Sequence, residues 1–299
     1  MQKHAYIIIA NSNFKVLEYG FKMIDDERND IYLLLDKKST VTDEWMQHLT
    51  SCLKYSKLTV CSQIVNWASY TQVSATLKLM RLAVESGEDY AYIHLFQGAD
   101  LPIRSQDEIH AFFKENNGKE FVEIDRSRDA MACGKAWYRH YFCHNRFFRK
   151  KRVVKILNFG LVEIQKILSI RKNTDIALYH GSALYSITGE CARYVLSREK
   201  EIYRRFRWTL AGDEVFMQTI LMSSRFKDRI YGIDSPKSEN ARLIDRTRPD
   251  GKNSPHIWRI GELSVFRDKP ANKMFARKFD QNRDVEIVKA LYEEFRQKG

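Results

Sequence analysis

Arg277 and Lys278 stand between Phe275 and Phe279 in the segment MFARKFD, residues 274–280. If the segment is a strand, alternation turns Phe275, Arg277 and Phe279 to one face and Lys278 to the other. Two cations set among aromatics suit an anion, arginine as a bidentate fork and lysine as a point charge. Under regular alternation only one of them can touch that anion directly, and Lys278 is the first choice. Both reach it only where the strand ends or bulges. A second candidate is the acid pair Asp213–Glu214, which follows Gly212 and opens an apolar run. The plain reading is a helix N-terminus whose dipole the acids offset. The chemical reading makes one of them a general base. Neighbours in sequence cannot flank a sugar as an acid and base pair, so a two-carboxylate glycosidase gains no support.

Other motifs are weaker or missing. HGSALYS places Gly181 and Ser182 at a strand where a backbone could approach a ligand closely, or where there is only a bulge. No GxxxxGK[ST], GxGxxG or HExxH occurs, so neither a dinucleotide or P-loop site nor a zinc enzyme is indicated. No Asp-x-Asp stands at a strand end to hold a divalent metal across a diphosphate. A nucleotide-sugar enzyme built from this chain would need cations from its own side chains, and FARKF could supply them.

The elements that must position these residues alternate in type. Residues 5–10, 31–36, 57–62, 90–96 and 120–125 read as strands, the first as a buried parallel one. Residues 14–24, 42–52, 69–86 and 105–116 read as helices. Thr42 and a Ser105/Glu108 capping box mark two of their starts. Such repeated units predict an α/β domain with a mostly parallel sheet, whose ligands bind beyond the carboxyl ends of the strands. Asp36, Asp100 and Asp125 lie at or just after such ends. After residue 125 the pattern breaks into the basic, aromatic stretch KAWYRHYFCHNRFFRKK and an apolar, helically spaced run at 152–172. The pattern resumes with a strand at 178–188 and helices at 189–197 and 212–224. Residues 236–270, which hold four of the five prolines, read mainly as loop, and 285–297 as a helix. The preferred division is one domain over 1–299: a nucleotide-binding half (1–125), a basic insertion (126–175), and an acceptor and diphosphate half (176–299).

The bulk numbers agree with a folded enzyme but do not require one. Hydrophobic residues make up 44% of the chain and the net charge is +12, which favours an anionic partner. Five cysteines without a CxxC fit a reducing compartment, and no apolar run is long enough to span a membrane. The stretch from Arg146 to Lys172, with Phe147, Phe148, Ile156, Leu157, Phe159 and Leu161, fits a solvated helix face or an interfacial helix on anionic lipid. No nucleic-acid motif accompanies the charge, so nucleic acid is not expected as a partner.

Taken in order, YIIIAN, LLLDKKS, NWASYTQVSATLKLM, YIHLFQGADLPIRSQDEI, HGSALYSITGECARYVL, GDEVFMQTIL, RLIDR…NSPH and FARKFD span nearly the whole chain. Together they resemble the core-2/I-branching β-1,6-N-acetylglucosaminyltransferases and protein O-xylosyltransferases, glycosyltransferase family 14. The resemblance implies a GT-A-like, Rossmann-type single domain with a basic helical insertion. It implies an inverting, metal-independent transfer of a sugar of the N-acetylglucosamine or xylose type from a UDP-sugar to a glycan hydroxyl. Glu214 matches the catalytic base, and Arg277 and Lys278 match the diphosphate-binding cations. Asp36 and Trp67 match positions near the nucleotide, with Asn11 and Ser12 more loosely placed there. Asp245 matches an acid near the sugar. Asp100, Gly181, Ser182 and Arg139 form a weaker sugar or acceptor set. Departures fall at Arg246, where the family has tryptophan, and at Gln97 and Ala99, where it has serine and glutamine. They leave the donor sugar and acceptor open. The disulfides and membrane anchor of animal members are not found in the sequence. A bacterial-type cytoplasmic enzyme is therefore expected, acting in surface polysaccharide synthesis at the inner membrane face on a lipid-linked acceptor. The rival reading is a non-catalytic basic protein that binds nucleic acid or anionic membrane. It accounts for the charge but not for Glu214 and Arg277/Lys278 occurring together.

Overall fold

The computed structural model describes residues 2–126, 136–142, 152–248, 250 and 254–296. Arg146, Phe147 and Phe148 of the basic stretch lie outside the described residues. The strands are, in chain order, β1 (His4–Ala10), β2 (Asn29–Asp36), β3 (Lys57–Gln63), β4 (Tyr92–Gln97), β5 (Asp100–Pro102), β6 (Phe121–Val122), β7 (Tyr185–Thr188), β8 (Arg242–Ile244) and β9 (Phe275–Arg277). The fold is mixed α/β with a mostly parallel sheet, and the described residues gather into two compact, interleaved units.

The first unit holds residues 1–62, 86–118 and 241–299. Its main sheet runs β3-β2-β1-β4, with β1 parallel to both β2 and β4. Apart from His4, and from Ile9, which is half-buried, β1 is a buried, continuous Ala, Tyr and Ile run, as a strand covered on both faces requires. A smaller sheet runs β5-β9-β8, with β9 antiparallel to β5 and parallel to β8. One core of this unit joins Val16, Leu101, Trp258, Phe266 and Phe279. Helix Gln106–Glu115 begins with both halves of the Ser105/Glu108 capping box.

Beside β1 and β4 lies a buried polar knot. His94 Nε2 is 3.1 Å from His4 Nδ1, His4 stacks on His110 at 4.0 Å, and His110 Nε2 is 2.9 Å from Asn29 Oδ1. Burial holds His4 and His94 well below the usual imidazole range. It lowers His110 to about 4, and the nearby Arg28 adds to the shift.

The second unit holds residues 63–85 and 119–240. Here β6 pairs antiparallel with β7, and helices Tyr70–Val84 and Gly189–Ser197 pack together. Several sequence expectations need correction. The strand expected at 178–188 is confined to Tyr185–Thr188, and that at 120–125 to Phe121–Val122. The helix expected at 212–224 begins only at Phe216, after a 3-10 turn Gly212–Glu214. Ala211 enters this turn at φ 51°, and Val215, at φ −133°, separates it from the helix. In the first unit, the stretch read mainly as loop contains β8 and helix Leu263–Arg267.

Candidate active site

In the first unit, the ends of β1, β2 and β4 point to a common theme but to different fates. Asn11 and Ser12 follow β1 and are exposed. Asp36 closes β2 but is buried, with its carboxylate on Lys38 N (3.1 Å) and Lys38 Nζ (3.2 Å). Gln97 closes β4, and its amide donates to Asp100 Oδ2 at 2.7 Å.

Arg277 and Lys278 are not equivalent. Asp100 and Arg277 are direct cross-strand partners in the β5–β9 register. Arg277 donates to Asp100 Oδ1 at 2.6 Å and to Gln97 Oε1 at 2.6 Å, so its guanidinium is held inside the fold. Lys278 donates to Ser254 Oγ at 3.2 Å. Trp258 fixes the backbone of both: its indole Nε1 donates to Arg277 O (3.0 Å) and its amide to Lys278 O (3.1 Å). The expected shared face of Phe275 and Phe279 is not found. Phe275 packs on Phe96 and His94, whereas Phe279 joins the Trp258 and Phe266 core. The strand ends at Arg277, so alternation does not carry on to Phe279. Asp100 thus serves Arg277 directly, a part that its place after a strand could not disclose.

Asp245 follows β8. Its carboxylate accepts from Thr247 Oγ1 (2.7 Å), Thr247 N (2.8 Å) and Arg248 Nε (2.7 Å). These bonds, that of the Thr247 hydroxyl foremost, hold it below the usual carboxylate range. Arg248 also bonds Glu262, which in turn faces His256 Nε2 at 2.8 Å.

In the second unit, Glu214 sits in the 3-10 turn with its side chain 41% exposed and its Oε2 3.4 Å from His180 Nε2. The adjacent Asp213 carboxyl is pushed up to about 7 by burial and by the Glu214 charge, although part of the residue reaches solvent. The turn is tied to segment 180–182, because Gly181 N donates to Glu214 O at 3.0 Å. That segment is threaded against 123–125: Asp125 N donates to His180 O (2.9 Å), and Gln218 Nε2 donates to Ser182 O (2.7 Å) and Glu123 O (3.3 Å).

The close approach that Gly181 permits is therefore internal. A Cβ there would lie 1.7 Å from Glu123 O. Ser182 is buried, and its hydroxyl accepts from Leu184 N at 3.2 Å. Gly181 ties this segment to the Glu214 turn, and Ser182 is bonded to Leu184 and Gln218 within the chain. Arg139 bonds Asn173 O, and Lys172 N donates to its carbonyl, so it too is engaged by the chain. Trp67 is 48% exposed, just before helix Tyr70–Val84.

One group among the described residues has metal-ligand types: Glu18, His48 and Cys52, whose ligand atoms lie within 4.8 Å of one another. Lys15 (2.9 Å) and Lys22 (2.7 Å) already neutralise the Glu18 carboxylate, which reads as an ion-pair cluster. Sequence reasoning passed over three positioning residues. His180 is a lone histidine without ligand spacing. Gln97 registered only as a departure from a motif. Trp258 lay in a proline-rich stretch read as loop.

A family model described as core-2/I-branching enzyme matches residues 4–256. The Homo sapiens β-1,3-galactosyl-O-glycosyl-glycoprotein β-1,6-N-acetylglucosaminyltransferase is 24% identical, over 99% of this chain and 70% of its own length. The Homo sapiens N-acetyllactosaminide β-1,6-N-acetylglucosaminyl-transferase is 22% identical, over 93% of this chain and 68% of its own. Pan troglodytes xylosyltransferase 2 is 19% identical, over 96% of this chain but only 33% of its own length.

Proposed function

The chain belongs to the core-2/I-branching enzyme family and is a glycosyltransferase, and on that premise we propose that it moves N-acetylglucosamine or xylose from a UDP-sugar to a glycan hydroxyl, with inversion and without a metal ion. The observation that carries this reading is the Glu214 carboxylate: accessible, beside His180, and mounted on a turn fixed through Gly181. Glu214 takes the acceptor proton as the hydroxyl oxygen attacks the anomeric carbon. The bond from that carbon to the diphosphate oxygen breaks, and UDP leaves with the electron pair. Lys278 meets the growing negative charge, while Arg277, already committed to Asp100, contributes less directly. The Asp36, Trp67, Asn11 and Ser12 positions flank the nucleotide on this reading, and Asp245 shapes the sugar side. The acceptor is a lipid-linked glycan of a surface polysaccharide; the exposed apolar and cationic helix Arg152–Ile167 speaks for the lipid.

The non-catalytic alternative falls with family membership. The test is transfer from a panel of UDP-sugars to glycan acceptors, with and without excess EDTA. Glu214→Gln should lower the rate by about 10²–10⁴, the usual worth of a general base. Near wild-type turnover in that variant removes Glu214 from the role. Activity that EDTA abolishes and Mn²⁺ restores removes the metal-free scheme.

A further inference from the structure

The helix Arg152–Ile167 is mounted inside out. Val153, Ile156, Leu157, Ile164, Ile167 and Leu168 recur at helical spacing and fall on one stripe of roughly 120°. An ordinary surface helix would bury that stripe. Here it faces solvent, with exposures from 55% for Ile164 to 81% for Ile167. The buried side is instead partly polar, carrying Asn158 and Gln165 beside Val162. Its polar groups are satisfied from within. Gln165 exchanges bonds with the Tyr141 backbone (N to Oε1 2.8 Å, Nε2 to O 2.9 Å), and Asn158 Nδ2 donates to Val154 O at 2.8 Å. Val162 joins Ala68, Phe142 and Leu210 in a small core. The docking is thus specific, and the outward turn of the apolar stripe is built in.

We infer that this stripe is a docking surface for an anionic lipid bilayer. Charge selects the occupant. Between residues 152 and 171 the cations Arg152, Lys155, Lys166 and Arg171 stand against a single acid, Glu163. Glu163 pairs with Lys166 at 2.6 Å, and all five residues are exposed. An apolar stripe with lysine and arginine along one flank matches the boundary between acyl chains and anionic headgroups, where long cationic side chains reach up to the phosphates. A second copy of the chain fits less well, because a two-fold contact would set the same cations against each other. The helix is about 24 Å long and lies along the surface rather than across it. No helix among the described residues is long and apolar enough to cross a membrane.

The test is flotation of the full chain with phosphatidylglycerol vesicles and, separately, with phosphatidylcholine vesicles. The wild type should partition onto the anionic vesicles at least about tenfold more strongly. The combined variant Ile156→Ser, Leu157→Ser, Ile164→Ser, Ile167→Ser should lose at least about tenfold of that partition. Its melting temperature should stay unchanged, because these side chains are exposed. Lys155→Glu should weaken partition about fivefold, and more steeply at low salt. Absence of flotation, equal binding to both vesicle types, or flotation unaffected by the serine changes overturns the inference. So does a dimer in sedimentation equilibrium that the serine changes dissolve, since the stripe is then a contact between copies.

Discussion

Replacing Gly181 with alanine tests how the Glu214 turn is held. The added Cβ would sit 1.7 Å from Glu123 O, 2.7 Å from Glu123 C and 3.1 Å from Gln218 Nε2. Two of these atoms are backbone, so no side-chain rotation relieves the clash. The segments must part by roughly 1.5 Å to restore ordinary contact. That movement strains the Asp125 N–His180 O bond (2.9 Å) and the bonds Gln218 shares between Ser182 and Glu123. Overpacking of this kind costs about 1–3 kcal/mol, and each hydrogen bond lost adds about 1 kcal/mol. The sum is about 3–5 kcal/mol, which at a urea slope of about 2–3 kcal/mol per molar lowers the unfolding midpoint by about 1–2.5 M. Sugar transfer by the folded fraction should fall too, because Gly181 N holds Glu214 O. Gly160 supplies the control. It lies on the exposed side of its helix, and nothing stands within 4 Å of the position an added methyl would take, so Gly160→Ala should raise stability by about 0.5–1 kcal/mol. A Gly181→Ala protein that melts like the wild type and transfers sugar at the wild-type rate refutes the packing argument.

Lys278→Ala should weaken UDP binding by about 10–100-fold in calorimetry, the scale of one charged hydrogen bond, and an unchanged affinity takes Lys278 out of the site. Asp100→Asn leaves the half-buried Arg277 guanidinium without its carboxylate and should cost about 2–3 kcal/mol in urea unfolding, a buried-pair loss discounted for partial exposure. A loss below about 0.5 kcal/mol would show that the pair is ornamental. The folded-state pKa of His110, at about 4, lies below the unfolded value of about 6.5, so the unfolded chain takes up its proton first on acidification. Stability from this group is therefore lost as pH falls from about 6.5 to about 4, at up to about 1.4 kcal/mol per pH unit. Comparing unfolding free energies of wild type and His110→Asn across that window cancels the distant titrating groups and leaves His110 with its coupling to the stacked His4; parallel curves would contradict the burial argument.

What could be read from the sequence was what local chemistry decides. The capping box at Ser105 and Glu108 closes over three residues, and the cap at Thr42 accepts from Trp45 N, so both helix starts fell where expected. The continuous apolar run of β1 similarly announced a strand buried on both faces. What escaped depends on partners far along the chain. Acids after a glycine look the same whether they begin a helix or a 3-10 turn. The difference lay in Ala211 and Val215, whose non-helical backbone angles bracket a turn hydrogen-bonded to Ala68 O and Gly181 N. Periodicity placed a helical run over 152–172, of which Arg152–Ile167 is helix, but could not say which face is inside, because Gln165 is buried through its match with the Tyr141 backbone. The Gly181 site was legible as a place of close approach. That Glu123 is a group approaching it required the fold.

The two adjacent cations show how one distant carboxylate can separate residues that look interchangeable. Asp100 reaches Arg277 at 2.6 Å and simultaneously accepts the Gln97 amide at 2.7 Å, while Gln97 returns its side-chain oxygen to Arg277 at 2.6 Å. The three residues close a ring that joins the end of β4, β5 and β9. A guanidinium that close to a carboxylate acts on anything beyond it as a dipole more than as a charge, and its attraction falls off faster with distance. Its free energy goes into fixing β9 against β5. Lys278, one residue past the strand, inherits that rigidity through the backbone, because Trp258 clasps the carbonyls of both residues. On the proposed mechanism this is the useful division. The cation that meets the leaving diphosphate needs a fixed origin and a side chain that can still reach, and a half-buried, ion-paired arginine next door is what supplies the fixed origin.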